Sequence, residues 1–304
     1  MKLLLAADLH ITSKTPLSRV DDYPSTQMGK VRWIAGLAKE AACDAVLVAG
    51  DFFDSPVQPY PLLAEYIYLL TEQFPPVYCV FGQHDTAFRR RQNTALAFLE
   101  ELGLVTVAGR KPISLGEGLY LYGASYDEEI PVPRKRNWGA NILLAHLLVT
   151  DGKPWPGCEE LFPLKKVSSW APGYSLVVCG DNHETLVHEG RSCTVFNPGS
   201  LMRSRVDQRE HVPVVGIWQS SSCTLEMVEV PVLPAQEVLD FESKEESQEF
   251  LSLMESFVAA VKDYDVGVDF LRNLSLAVKA TRGLPPLVKR VIYEAVERCG
   301  YGKL

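Results

Sequence analysis

The chain has 304 residues, 47% of them hydrophobic and 22% charged, with a formal net charge of −8. That composition supports a core of useful size in one large domain or a domain plus an appendage, and it excludes disordered, collagen-like and repeat architectures. The acidic balance argues against a general nucleic-acid binder, so any polyanionic substrate has to be met by local basic patches or bound cations.

Lys2–Ala7 is an apolar run that ends at Asp8, the pattern of a buried strand feeding a loop. About five apolar residues precede Asp8, too few for a signal-peptide core of roughly 7–15. No stretch approaches the ~18 apolar residues of a membrane span, so the expectation is a soluble cytoplasmic protein without a membrane role. Seven cysteines, an odd number with no CxxC, read as free thiols in a reducing compartment. Met28–Ala42 carries Val31, Ile34, Ala35, Ala38 and Ala41 at helical spacing. Ala45–Ala49 is a second buried strand stopping at Gly50-Asp51, Tyr60–Gln73 a second helix, and Val77–Phe81 a third strand ending at Gly82-Gln83-His84-Asp85. Thr94–Leu102 is a further helix. This strand, loop, helix order predicts an α/β core with a predominantly parallel sheet.

After residue 104 short strands dominate. Val105–Val107, Ile113–Leu115 and Leu119–Tyr122 precede two buried strands, Ile142–Ala145 running into His146 and Ser175–Cys179 running into Gly180-Asp181-Asn182-His183. Thr194–Phe196 leads to the turn Asn197-Pro198-Gly199-Ser200. Val214–Trp218 and Leu225–Val230 close the strand-rich part. Pro231 and Pro234 mark a linker. Beyond it, the capping-box signature Ser243–Glu246 and two apolar stripes predict a helical appendage. The expected division is residues 1–232 for the strand-rich domain and 233–304 for the helical appendage.

Five loops each follow a buried strand and each presents a metal-capable residue: Asp8 and His10; Asp51 and Asp54; Gln83 and His84; His146; Asp181 and His183. Four of the six histidines lie in them. Strand ends of α/β sheets gather ligand sites. Carboxylate and imidazole together suit manganese, iron or zinc, and two such ions can share a carboxylate and activate water for attack on phosphorus.

These loops resemble the calcineurin-like metallophosphoesterase family, whose order is DxH, GDxxD, GNHD or GNHE, a lone His, then GHxH. Val46–Ser55 and Asn197–Ser200 resemble in particular the SbcD-type DNA-repair nuclease branch. The resemblance covers about residues 1–230. It implies an αββα two-sheet sandwich and two divalent metal ions; with a glutamine at 83 and a carboxylate at 181, the expected ions are Mn2+ or alternatively Mg2+ rather than softer ones. Asp8, His10 and His183 would hold the first ion, Asp51 would bridge, and Gln83, His146 and Asp181 would hold the second. His84 would touch the scissile phosphate, with Asp54 orienting it. Two positions depart from the pattern: Gln83 stands for Asn, and Asp181 for the first His of GHxH.

Arg89 and Arg90 follow the third motif, and Arg203 and Arg205 follow the Asn-Pro-Gly-Ser turn; Arg134-Lys135-Arg136 is a third basic cluster. The four arginines are candidate phosphate contacts, and Phe88 and Trp138 are candidate base-stacking platforms. The leading expectation is an exonuclease subunit acting on DNA, and the branch implies a homodimer partnered by an SbcC-like coiled-coil ATPase. The alternatives are a small-molecule or nucleotide phosphodiesterase, and a non-catalytic DNA- or partner-binding protein whose second metal site has drifted.

Overall fold

Leu3, Leu4 and Leu5 are all fully buried, so the first strand has apolar neighbours on both faces. A strand alternates its side chains between the two faces of its sheet, and a continuous apolar run therefore needs a packed layer on each side. A computed structural model shows both layers. It describes residues 1–87, 90–133, 139–152 and 162–241.

The elements in chain order are β1 (Lys2–Ala6), α1 (Tyr23–Glu40), β2 (Ala45–Val48), α2 (Tyr60–Gln73), β3 (Val77–Cys79), α3 (Ala95–Glu101), β4 (Thr106–Val107), β5 (Ile113–Gly116), β6 (Leu119–Ala124), β7 (Asn141–His146), β8 (Val149–Thr150), β9 (Phe162–Pro163), α4 (Val167–Trp170), β10 (Leu176–Gly180), β11 (Leu186–Glu189), β12 (Thr194–Asn197), β13 (Val214–Gln219), β14 (Thr224–Glu229) and α5 (Ala235–Val238). Among the described residues they build two six-stranded sheets, ordered β14-β13-β1-β2-β3-β4 and β11-β12-β10-β7-β6-β5, and a two-stranded parallel sheet of β8 and β9. In the first, β1, β2, β3 and β4 run parallel, β13 pairs antiparallel with β1, and β14 antiparallel with β13. In the second, β12, β10, β7 and β6 run parallel, flanked by antiparallel β11 and β5.

Alternation along the strands sorts the core. Leu3, Leu5, Leu47, Ile142, Leu144, Val178, Phe196 and Trp218 pack between the sheets. Leu4, Val46 and Val48 face the other way, onto Val31 and Ile34 of α1 and Leu63, Tyr66 and Leu69 of α2. Leu143, Ala145 and Val177 face outward from the second sheet, toward Leu164 and Val167. The result is the αββα sandwich.

Helix α1 begins at Tyr23, five residues before the apolar stripe at Met28. Asp22 caps it by accepting from the Ser25 N–H at 3.2 Å, and Pro24 sits in its first turn. The short strand β11, unforeseen in the sequence, pairs antiparallel with β12. Ala235–Leu239 belongs with the first compact unit, Met1–Leu239: the Val20 N–H donates to the Val238 carbonyl, and Val238 and Leu239 are buried. The helices expected from residue 243 onward lie outside the described residues. Among the described residues the cysteines are free, and all but Cys223 are buried. No described helix is long and apolar enough to cross a membrane.

Candidate metal centre

The C-terminal ends of β1, β2, β3, β7 and β10 bring Asp8, Asp51, Gln83, His146 and Asp181 together. The loops after β1 and β2 continue the pairing of their strands: Asp8 N–H donates to Gly50 O, His10 N–H to Asp51 O, and Ile11 N–H to Phe52 O. Asp8, His10 and Asp51 all have positive φ, 47°, 45° and 45°, a region that costs a side-chain-bearing residue of order 1 kcal/mol or more. Gly50 (φ 83°) lies so close to His146 that a Cβ would overlap the imidazole, and a Cβ on Gly82 would overlap the Asp51 carboxylate. The backbone at these turns is shaped around the ligand side chains.

Asp51 lies at the middle. It is fully buried. Its Oδ1 accepts from the His84 N–H at 2.9 Å. Its Oδ2 sits 3.6 Å from His10 Nε2 and 3.5 Å from His146 Nε2, and it is buried with no hydrogen-bond donor. Among the described residues, three groups bring their ligand atoms within 4.8 Å of one another: Asp8, His10 and His183; His10, Asp51 and His84; and Asp8, Asp51 and His146. His10 Nε2 and His183 Nε2 face each other at 3.2 Å.

On the other side, His146 Nδ1 lies 2.8 Å from Ala49 O. A carbonyl only accepts, so Nδ1 carries the proton and Nε2 turns inward. There it meets Gln83 Oε1 at 2.6 Å, Asp51 Oδ2 at 3.5 Å and Asp181 Oδ1 at 3.9 Å. The Gln83 amide oxygen and the two ionised carboxylate oxygens can only accept, so a cation or a second proton has to sit among them. The donor set therefore fits divalent ions on both sides of Asp51: His10, His183, Asp8 and Asp51 for one, and His146, Gln83 and Asp51 for the other, with Asp181, expected as a further ligand, accepting from Gln83 Nε2 at 3.0 Å.

The electrostatics agree. Burial opposes the charged form of His146, but the carboxylates of Asp51, Asp8 and Asp181 outweigh it and hold the imidazole up at about 10. Burial raises Asp8 to about 7, helped by Asp51 and opposed by His146 and His10. Burial pushes His183 down to about 4, with His10 adding to the effect. Burial also opposes ionisation of Asp51, yet His146, His10 and His84 keep its carboxyl below the usual range. A buried site of this kind supplies the charge that cations would complete.

The sequence-derived site residues divide. Asp8, His10, Asp51, Gln83, His84, His146, Asp181 and His183 converge. Asp54 is there too, but with a different contact from the one expected. Its carboxylate faces His10 Nδ1 at 3.5 Å, and its backbone carbonyl, not its carboxylate, lies 3.1 Å from His84 Nδ1. Arg203, expected as a phosphate contact, is held within the fold. It is buried, 6% exposed, and its guanidinium donates to the carbonyls of His211 at 2.6 Å and Leu233 at 3.0 Å. Arg205 is exposed and paired with Asp207; it lines an open cleft of about 470 Å³ that reaches Asp8, His84 and His183. Arg90 is exposed on the loop after the third motif. Arg89, the 134–136 cluster, Phe88 and Trp138 lie outside the described residues.

Three supporting residues were not read from the sequence. The buried Asp85 carboxylate accepts from the N–H groups of Phe53, Gly82 and Phe52 at 2.8, 2.9 and 3.1 Å, so it joins the second and third loops. Its place beside His84 was the available signal. Gln27 of α1 is fully buried and ties down the Asp8–His10 loop; nothing in its sequence neighbourhood marks it. Asn197 Nδ2 donates to Asn182 O and Glu184 O at 2.6 and 2.7 Å, bracing both sides of His183.

Residues 1–185 match the calcineurin-like phosphoesterase family, and the chain belongs to it; membership implies hydrolase chemistry. No curated protein matches the chain. Solved structures similar to it include an archaeal phosphodiesterase, at 13% identity over 75% of this chain and 99% of that one, with TM-score 0.43. A dimetal phosphatase from Danio rerio is similar at 10% identity over 76% and 99%, TM-score 0.46. Vacuolar protein sorting 29 from Cryptosporidium parvum is similar at 17% identity over 75% and 96%, TM-score 0.38.

Proposed function

We propose that this chain is a metal-dependent phosphodiesterase acting on DNA, an SbcD-type exonuclease subunit. The observation that carries the phosphodiesterase reading is Asp51 Oδ2, buried, without a donor, and 3.5–3.6 Å from an imidazole nitrogen on either side. With His10 on one side and His146 on the other, Asp51 would hold a divalent cation on either side. When bound, such ions polarise phosphoryl oxygens and lower the pKa of water. The oxygen-rich set around His146 favours the harder ions, Mn2+ or Mg2+.

The chain's own groups supply the rest. His84 is exposed, and its Nδ1 is directed at the Asp54 carbonyl, which leaves Nε2 to meet the phosphate and pass a proton to the departing oxygen. Lys14 and Arg205 line the cleft beside it and are placed to hold phosphate oxygens. An open cleft with cations at its edge suits a polymer more than an enclosed small ester. Homodimerisation and a coiled-coil ATPase partner belong to the same proposal.

The test is Mn2+-dependent digestion of a labelled duplex set against hydrolysis of bis-p-nitrophenyl phosphate and cyclic nucleotides. The expected result is DNA cleavage, lost by a factor of about 10²–10⁴ in His84→Ala with bound metal retained. Hydrolysis of the small esters with none of DNA, even with the ATPase partner added, overturns the nuclease reading. No hydrolysis of either class favours a binding protein.

A further inference from the structure

We propose that Asp181 is a positioning residue for Gln83: its carboxylate fixes which end of the Gln83 amide faces the cation site beside His146. The inference rests on the metal-dependent reading above. Gln83 Nε2 donates to Asp181 Oδ1 at 3.0 Å, while Gln83 Oε1 lies 2.6 Å from His146 Nε2. An ionised carboxylate has no proton to give, so it accepts only from the NH2 end of the amide. The oxygen end is thereby turned toward His146 and Asp51. Rotated by half a turn, the amide would set two oxygens against each other at Asp181 and aim its N–H groups at the cation.

The two positions at which the loops depart from their family pattern are thus one unit. A glutamine has one more rotatable bond than an asparagine, so its amide needs an external constraint; a histidine at 181, able to present an N–H, would not impose that orientation. Asp181 is itself well anchored. Its N–H donates to both oxygens of Asp8, at 3.1 and 3.2 Å, from a backbone with φ of 91°. The residue therefore braces Asp8 through its main chain and Gln83 through its side chain.

The experiment is calorimetric titration of the dialysed full chain with MnCl2, comparing wild type with Asp181→Ala, Asp181→Asn, Gln83→Ala and the double alanine variant. Wild type is expected to bind two ions. Asp181→Ala should weaken one of them by about 10–100-fold and leave the other within a factor of about three, as removal of an orienting partner does. Asp181→Asn should stay close to wild type, because its amide oxygen still accepts from Gln83. The double variant should bind no more weakly than Gln83→Ala alone. Asp181→Asn failing as badly as Asp181→Ala, additive losses in the double variant, or a single ion in wild type each overturn the proposal. Should Asp181→Ala not fold, the Asp181→Asn and Gln83→Ala titrations decide it. Phosphodiester cleavage measured in parallel separates the two readings: the expected binding pattern without cleavage sinks the enzymatic function and leaves the Asp181–Gln83 pairing standing.

Discussion

The side-chain amide of Gln27 donates to the carbonyl oxygens of Leu9 at 3.0 Å and His10 at 2.9 Å, while its own oxygen accepts from the Thr12 N–H at 3.0 Å. One helix residue thus satisfies three main-chain groups of the loop that carries two metal ligands. Gln27→Leu keeps the bulk and removes all three bonds. Unsatisfied buried groups cost about 1–3 kcal/mol each, so the variant should lose at least about 2 kcal/mol. It should also bind the ion held by His10 and His183 more weakly, with the ion beside His146 little changed. Urea denaturation and metal titration check both; an undisturbed site in a destabilised protein would show Gln27 to be structural only.

Metal binding should release protons. With His146 held at about 10 and Asp8 at about 7, the ion-free centre is protonated at pH 7. Ligands must be deprotonated to bind. Apparent Mn2+ affinity should therefore rise with pH between about 6 and 8, with about one proton or more released per chain at pH 7. Calorimetry in buffers of different ionisation enthalpy measures this number. No proton release would contradict the electrostatics of the site.

Lys30 supplies a test of stability against pH. It is buried, and its Nζ donates to Leu201 O at 2.9 Å. Burial pushes its pKa down from 10.5 to about 7, with Arg19 and Arg203 adding to the effect. A base whose folded pKa lies below its unfolded value binds fewer protons when native, so its contribution to stability rises with pH across that window. Lys30→Met lacks the titration. The stability of the variant relative to wild type should fall as pH rises from 7 to 9.5, because only wild type gains. A constant difference in urea midpoint across that range would show that Lys30 does not titrate there.

Arg203 and Arg205 should part company under mutation. Arg203→Ala strands two carbonyls and should cost about 3 kcal/mol, equivalent to roughly 6–12 °C in Tm for a unit of this size. Arg205 is exposed at the cleft, so Arg205→Ala should leave Tm within about 2 °C and raise KM for DNA severalfold. Thermal melts and steady-state kinetics on both variants are decisive; a KM effect in Arg203→Ala at unchanged Tm would restore the reading that its burial removes.

The parts of this centre that were legible in the sequence are those fixed by local pattern. Asp8, Asp51 and His146 follow strands whose apolar runs announce burial on both faces, and ligand chemistry at a strand end is a short-range signal. Gln27, Asp85 and Asn197 act on loops up to 33 residues away, and a lone polar residue carries no mark of the partner it will meet. Arg203 shows the reverse error. Its position after an active-site turn suggested a surface cation, whereas its acceptors, His211 and Leu233, come from later segments that fold back over it. Asp54 meets His84 through its main-chain carbonyl, where its carboxylate was expected, because spacing does not say whether side chain or main chain will do the contacting.

The ladder from Asp8–Gly50 through Ile11–Phe52 joins the first two ligand loops by main-chain bonds well past the ends of their strands, and Asp54 N–H returns the connection by donating to Ile11 O. Mechanically the two loops are a single bracket bolted along its length. Neither can open, be shortened or be transplanted into another scaffold without carrying the other, so the smallest portable unit of this centre is the pair of loops with β1 and β2 beneath them.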